Sequence, residues 1–283
     1  MSDYAFVVTC NPGYEFGLRA TIGAQKYFGT DADWEVAYDY FTDEQRGKYP
    51  SNVHWTPIEE LTSQVVDNRT DKSCQLERYW IGYWLLAHRL LKEKKYKAIC
   101  VTQADQFTFT NLDNFFKIAE GRKMVSTYYP FTNIGVNLPY GDDKAIWNRC
   151  QCGLFDSLNF ISERHVDLVA DIVNMQAEDA FRDESNHSVI ALNRSVCRHL
   201  KYGDVVGLHG DSWVCDNLWG RGSFELMGDA VFLGPVQMFG WHQRWWQVGR
   251  QESELFSNPA TAEAQRNNYK LIFDYMKRME KYV

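Results

Sequence analysis

CVTQADQFT, Cys100 to Thr108, is the stretch on which the fold turns. Ala98-Ile99-Cys100-Val101 is an unbroken apolar run that stops at Gln103-Ala104-Asp105, ahead of an aromatic-studded segment. A short apolar run that meets polar residues abruptly has the pattern of a buried strand and its carboxyl end. With a small residue between them, Gln103 and Asp105 fall on one face of that end. Upstream, Tyr4 to Cys10 is a second apolar strand, broken sharply by Asn11-Pro12-Gly13. An amphipathic helix from about Phe16 to Phe28, a strand over Trp34 to Tyr40 and an irregular stretch over 44–72 follow. From Leu76 to Lys95, residues Trp80, Tyr83, Trp84, Ala87, Leu90 and Leu91 recur at helical spacing, an aromatic stripe that reads as core. Strand, helix, strand, helix, strand is the start of a parallel α/β sheet, in which ligands sit at the carboxyl ends of strands. Asp105 falls at such an end.

Beyond Gly121 the alternation is less regular, with strand-like pieces and turns over 122–157 and an amphipathic helix from Glu163 to Met175. The region Gly203 to Gly249 is rich in Trp, Gly and His and carries no firm assignment. Asn258-Pro259 caps a terminal helix, with Pro at its first position, that presents Tyr269, Ile272, Phe273 and Met276 to the body. The expected organisation is therefore a first half over 1–120, a second half of the same domain over 121–257 and a C-terminal helix over 258–283.

Composition bounds the class. In 283 residues, 45% hydrophobic and 24% charged are ordinary globular values and allow a substantial core. The acidic N-terminus MSDYAFVVTC enters a strand directly and reads as neither signal peptide nor anchor, and no apolar run approaches the ~20 residues that span a bilayer. The seven cysteines are odd in number and scattered, and Cys150-Gln151-Cys152 lacks zinc-knuckle spacing, so reduced thiols in a cytoplasmic protein are expected. A net charge of -7 argues against a large phosphate-binding surface.

A second segment carries chemistry. EDAFRDESNH, Glu178 to His187, holds four acids and an Arg within seven residues. Such a run is ordinarily a solvated helix face, but Phe181 sits inside it and apolar Val189, Ile190 and Leu192 follow at once. The run therefore reads as the mouth of a buried element.

Together these segments resemble the family 6 glycosyltransferases, which include the blood-group A/B and α1,3-galactosyl enzymes. Phe181-Arg182-Asp183-Glu184-Ser185-Asn186 lies where that family has its Trp-His-Asp-Glu-Ser-His-Leu-Asn stretch. FVVTC with Tyr14 resembles its first strand and nucleotide-binding turn, and QKYF (Gln25 to Phe28) and YFTDEQ (Tyr40 to Gln45) resemble its next helix end and strand end. CGLFDS, Cys152 to Ser157, is similar to its Gly-Gly-Phe-Phe-Gly-Gly acceptor loop. The likeness covers roughly residues 4–215 and rests on order and spacing.

The resemblance implies a GT-A type nucleotide-sugar-binding fold, a mostly parallel central sheet flanked by helices. It implies a soluble bacterial or viral form, because the stem and anchor of animal members have no counterpart here. The implied activity is transfer of a hexose (galactose, N-acetylgalactosamine or glucose) from a UDP-sugar to a glycan acceptor, with retention of configuration. Glu184 would be the carboxylate at the reacting centre, and Asp183 would orient a donor-sugar hydroxyl. Thr9, Cys10, Asn11, Tyr14, Arg78, Gln103 and Asp105 would line the donor, with Tyr14 stacked on uracil and Arg78, ahead of the helix, near the nucleotide. Phe181, Trp241 and His242 would face the acceptor.

Mn²⁺ or Mg²⁺ on Asp105 is one way to neutralise the diphosphate. Gln103 stands where the family has a second acid, so a metal-independent enzyme, with Arg244 and Arg250 on the diphosphate, is an equal expectation. Family 8 transferases use a late His as a metal ligand, and His209 and His242 are the corresponding candidates. Two other readings stay open: a phage-type enzyme glycosylating hydroxymethylated DNA bases, in which case alone nucleic acid is a partner, and a non-catalytic carbohydrate-binding protein on a GT-A scaffold. Donor sugar, acceptor and oligomeric state are not written in the sequence.

Overall fold

The computed structural model describes residues 2–63, 72–128, 154–177, 187–208, 213–214, 224–233, 236–238, 240–242 and 262–283. The chain divides into two compact units. The first comprises Met1–Thr9, Asp31–Gln103 and Asp113–His209, and the second Cys10–Thr30, Ala104–Leu112 and Gly210–Val283.

The first unit is built on β1 (Tyr4–Cys10), β2 (Asp33–Tyr38), β3 (Val53–Pro57), β4 (Ala98–Thr102), β6 (Met124–Tyr128), β7 (Leu154–Ser162) and β8 (Val205–Leu208). They form one seven-stranded sheet in the order β3-β2-β1-β4-β7-β6-β8. β1 pairs parallel with β4 (Tyr4↔Ala98, Val7↔Val101), β2 with β3 and β6 with β8. β7 runs antiparallel to both its neighbours, β4 (Cys100↔Phe160) and β6 (Val125↔Phe160). The Ser2 N–H donates to the Asp33 carboxylate at 3.2 Å, which sets the starts of β1 and β2 side by side.

The central strands β1 and β4 are apolar on both faces because helices cover both. Ala5, Val7, Ile99 and Val101 share a core with Tyr83, Trp84, Ala87 and Leu91 of α4 (Lys72–Lys92). Residues of α6 (Val166–Ala177) and α7 (His187–His199) complete it. On the other face Phe6 stacks on Trp34 with ring centroids 4.4 Å apart and meets Phe116 of α5 (Asp113–Glu120) edge-on at 5.2 Å. The aromatic stripe of α4 is core, as expected: Tyr83 and Trp84 are buried.

Two expectations need correction. Residues 44–72 are not irregular throughout: α2 (Asp43–Arg46), β3 and α3 (Ile58–Thr62) lie there. Thr42 caps α2 with its hydroxyl while Gln45 reaches back to the Thr42 N–H, a reciprocal cap that lets even four residues hold a helical turn. Arg78 does not precede its helix but lies inside α4, which begins at Lys72.

The second unit holds α1 (Glu15–Tyr27), β5 (Gln106–Thr108), β9 (Trp213–Val214), β10 (Phe224–Met227), β11 (Ala230–Leu233), β12 (Val236–Gln237), β13 (Gly240–His242) and α8 (Ala262–Met279). Two small sheets, β5-β13-β9 and β10-β11-β12, accompany the helices. Phe107 and Phe109 meet Tyr275 of α8 edge-on, each at 5.7 Å. Ile272, Met276 and Met279 are fully buried beside them, while Tyr269 and Phe273 are half-buried. Gly23 of α1 lies where any Cβ would be 2.0 Å from the Met279 carbonyl oxygen, so only glycine lets helix and chain end meet. Asn258-Pro259 lies outside the described residues. Among those described, no helix is long and apolar enough to cross a membrane.

Candidate functional site

In the first unit, β1, β2 and β4 end at one edge of the sheet, the edge at which open α/β sheets take ligands. A hydrogen-bonded line runs along it. The Thr9 hydroxyl donates to the Tyr79 carbonyl at 3.1 Å, and the Tyr79 hydroxyl donates to Asp39 Oδ2 at 3.1 Å. The ends of β1 and β2 are thus tied through α4. Thr9 itself is buried, so it orders the edge rather than offering a side chain to solvent. Arg78, next to Tyr79, is half-buried, and Gln103 is half-buried just past β4. Gly82 makes the close approach of α4 to this edge feasible: a Cβ there would lie 2.9 Å from Ile58 Cδ1 and 3.1 Å from Thr9 Cγ2.

Asp39 and Tyr79 were not among the residues that the sequence singles out. The signal for Asp39 was present, because it stands past an apolar strand as Asp105 does. Tyr79 was concealed by the aromatic stripe around it. Tyr40 follows Asp39 with φ 60° and its side chain 75% exposed.

The second unit carries the turn after β1 and the residues after β4. Asn11 Oδ1 accepts from the Gly13 N–H at 2.9 Å, and the Asn11 carbonyl accepts from the Tyr14 N–H at 2.9 Å. The turn Pro12–Tyr14 is therefore a capped 3-10 turn that delivers the chain into α1. Tyr14 is half-buried at its end. Burial pushes the Cys10 thiol well above its ordinary value, and the Glu15 and Asp105 carboxylates push the same way. The thiol stays protonated and serves as packing. Both carboxylates act electrostatically on Cys10, and Glu15 is an acid that the sequence does not single out.

Asp105 is half-buried at the turn before β5. β5 pairs antiparallel with β13, His242 opposite Gln106 and Trp241 opposite Phe107. The backbone thus brings His242 level with the residue beside Asp105, two positions that the sequence had proposed for a common role. Phe181, Asp183, Glu184, His209, Arg244 and Arg250 lie outside the described residues, as do Cys152 and Gly153 of the acceptor-like loop. Among the described residues, no group of three or more His, Cys, Asp and Glu side chains is placed to hold a metal ion.

No protein-family model matches the chain, and no curated protein matches its sequence. Among solved structures it is similar to the apo structure of WbbM, a bifunctional glycosyltransferase, with a TM-score of 0.52 at 10% identity. The match covers 76% of this chain and 40% of that one, so the chain spans well under two thirds of that protein's length. The likeness is one of fold. This chain has the α/β fold expected of it, of GT-A type, with a mostly parallel central sheet between helices.

Proposed function

We propose that this chain is a retaining glycosyltransferase that moves a hexose from a UDP-sugar to a glycan acceptor. The observation that carries the reading is the ordered carboxyl edge of β2-β1-β4 in a sheet whose fold is shared with a glycosyltransferase. That edge supplies a carboxylate at Asp39 held in place by Tyr79, and Arg78, the residue before Tyr79 in α4, is the guanidinium assigned to the nucleotide in this reading. Departure of a diphosphate and positive character at the anomeric carbon call for charge placed beforehand at both ends of the breaking bond. Glu184 and Asp183 take the anomeric end in this reading, and Phe181, Trp241 and His242 the acceptor. Arg244 and Arg250 face the diphosphate.

Asp105 and Glu15 are hard oxygen donors, yet two carboxylates do not complete the six or more oxygens that Mn²⁺-like and Ca²⁺-like cations take. The described residues do not fit a metal cage made by the protein alone.

A thermal-shift panel of nucleotide sugars, paired with an assay of donor hydrolysis in the absence of acceptor, tests the reading. A UDP-sugar that binds the native state raises its melting temperature by mass action, and slow release of UDP marks turnover. A panel in which no nucleotide sugar raises the melting temperature or is hydrolysed overturns the proposal.

A further inference from the structure

The ring of Tyr40, at the carboxyl edge, is exposed. β2 ends at Tyr38, and the next three residues take opposite courses. Asp39 turns inward to Tyr79, and Phe41 returns to the interior, 5% exposed, with its ring 5.2 Å from Trp55. Tyr40 between them is forced outward, with φ 60°. A left-handed backbone disfavours a bulky L-residue relative to glycine by roughly tenfold in population. Burial gives nothing back here, since the side chain is 75% exposed. Its neighbours are different: Trp55 is in contact with Tyr38, Phe41 and Tyr49, and the Arg46 guanidinium lies 4.4 Å over the Tyr38 ring. A bulky residue held in that region without burial to offset it motivates a functional reading.

We infer that Tyr40, rather than the half-buried Tyr14, is the stacking platform for the base of the nucleoside diphosphate, a role that rests on the donor reading above. The location fits, because Tyr40 directly follows the carboxylate that closes the Thr9–Tyr79–Asp39 line. The chemistry fits as well: a flat base offers a π-face to an open ring.

The test compares wild type with Tyr40→Gly, Tyr40→Asn and Tyr40→Phe in the full chain. Melting temperature is measured, with affinity for UDP and for inorganic pyrophosphate by calorimetry. Glycine and asparagine relieve the backbone while removing the ring, so the fold should gain stability as UDP binding weakens by about tenfold. Tyr40→Phe should bind UDP as wild type does, and pyrophosphate, which has no base, should bind all four proteins alike. UDP affinity within twofold of wild type in Tyr40→Gly overturns the inference and leaves the donor reading standing. An equal loss of pyrophosphate binding overturns it too, because the effect would then not reside in the base. Should Tyr40→Gly melt lower than wild type, Tyr40→Asn decides by the same UDP measurement. Failure of wild type to bind any nucleoside diphosphate removes the donor reading, and the platform with it.

Discussion

The side-chain amide of Asn193 treats Leu154 as a neighbouring strand would. Its Nδ2 donates to the Leu154 carbonyl at 2.8 Å, and its Oδ1 accepts from the Leu154 N–H at 3.0 Å. β4 accompanies β7 only as far as Thr102↔Leu158, so the first residues of β7 extend past their partner on that side. Asn193, reaching from α7, replaces it. Both residues are buried, where unpaired backbone groups are costly. Asn193→Leu keeps the volume but strands one N–H and one C=O, at about 1–3 kcal/mol each. Urea unfolding should show a loss of about 2–6 kcal/mol, and a loss below about 1 kcal/mol would mean that water or another group replaces the amide.

His165 predicts a dependence on pH. Its Nδ1 accepts from the Ser162 N–H at 3.0 Å, which only the unprotonated nitrogen can do. Burial pushes its pKa down to about 4 from the ordinary 6.5; the Ser162 backbone and Asp204 push against it and Arg164 the same way. Between those values the unfolded chain takes up a proton that the folded chain refuses. The associated stability is therefore complete above about pH 6.5 and falls away as the pH drops towards about 4, by about 3 kcal/mol in all. Denaturant midpoints across that range should fall for wild type and fall much less for His165→Gln. Parallel slopes in the two proteins would exclude His165 as the source.

Much of this fold is visible in the sequence where the pattern is local. β1 runs over Tyr4–Cys10 as the apolar run dictates, and α1 and α4 follow their periodicity. β3 was missed because its five residues, VHWTP, mix polar and apolar side chains and end in proline, so neither alternation nor a hydrophobic run marks it. The division into units was not legible either, since Cys10–Thr30, Ala104–Leu112 and the C-terminal region gather through pairings such as Gln106↔His242 that no window of sequence contains. The site divides the same way: Asp105 announces itself at a strand end, while Tyr79 acts on Asp39 across the sheet edge and Asn193 reads as one more polar residue on a helix.

Gly82→Ala tests whether the approach of α4 governs the edge. Alanine favours a helix over glycine by about 1 kcal/mol, but the added methyl would crowd Ile58 Cδ1 at 2.9 Å and Thr9 Cγ2 at 3.1 Å. Overpacking of that kind costs about 1–3 kcal/mol, so a small net destabilisation is expected and, under the proposed function, weaker UDP binding as Thr9 shifts. Ile58→Val makes room for the methyl, and the double variant should recover both properties. Additive losses in the cycle would show that the two positions do not share the space.

Glu184→Gln removes charge without volume. Under the proposed mechanism it leaves the fold and UDP affinity nearly intact while lowering kcat by orders of magnitude, because the charge acts where positive character develops. Turnover within about twofold of wild type would take Glu184 out of the mechanism.

Under the proposed function, Gln103 and Asp105 bear on how the diphosphate is neutralised. One carboxylate in the turn between β4 and β5, with Glu15 as the other acid that acts on Cys10, predicts a weak hold on any divalent cation, so activity should survive a chelator at least in part. Gln103→Asp adds an anionic oxygen where hard cations count oxygens and charge, and Mn²⁺ dependence should rise. Asp105→Asn should impair turnover in either case, through a lost cation or a lost polar contact to the donor. Complete loss of wild-type activity in chelator, restored by Mn²⁺, would refute the metal-independent mechanism and make Asp105 the anchor of an ion. The backbone register then names the first place to look for a further ligand: His242, whose strand lies against Gln106, the residue next to Asp105. His242→Ala should in that event raise the Mn²⁺ concentration needed for half-maximal rate while leaving UDP affinity in chelator unchanged.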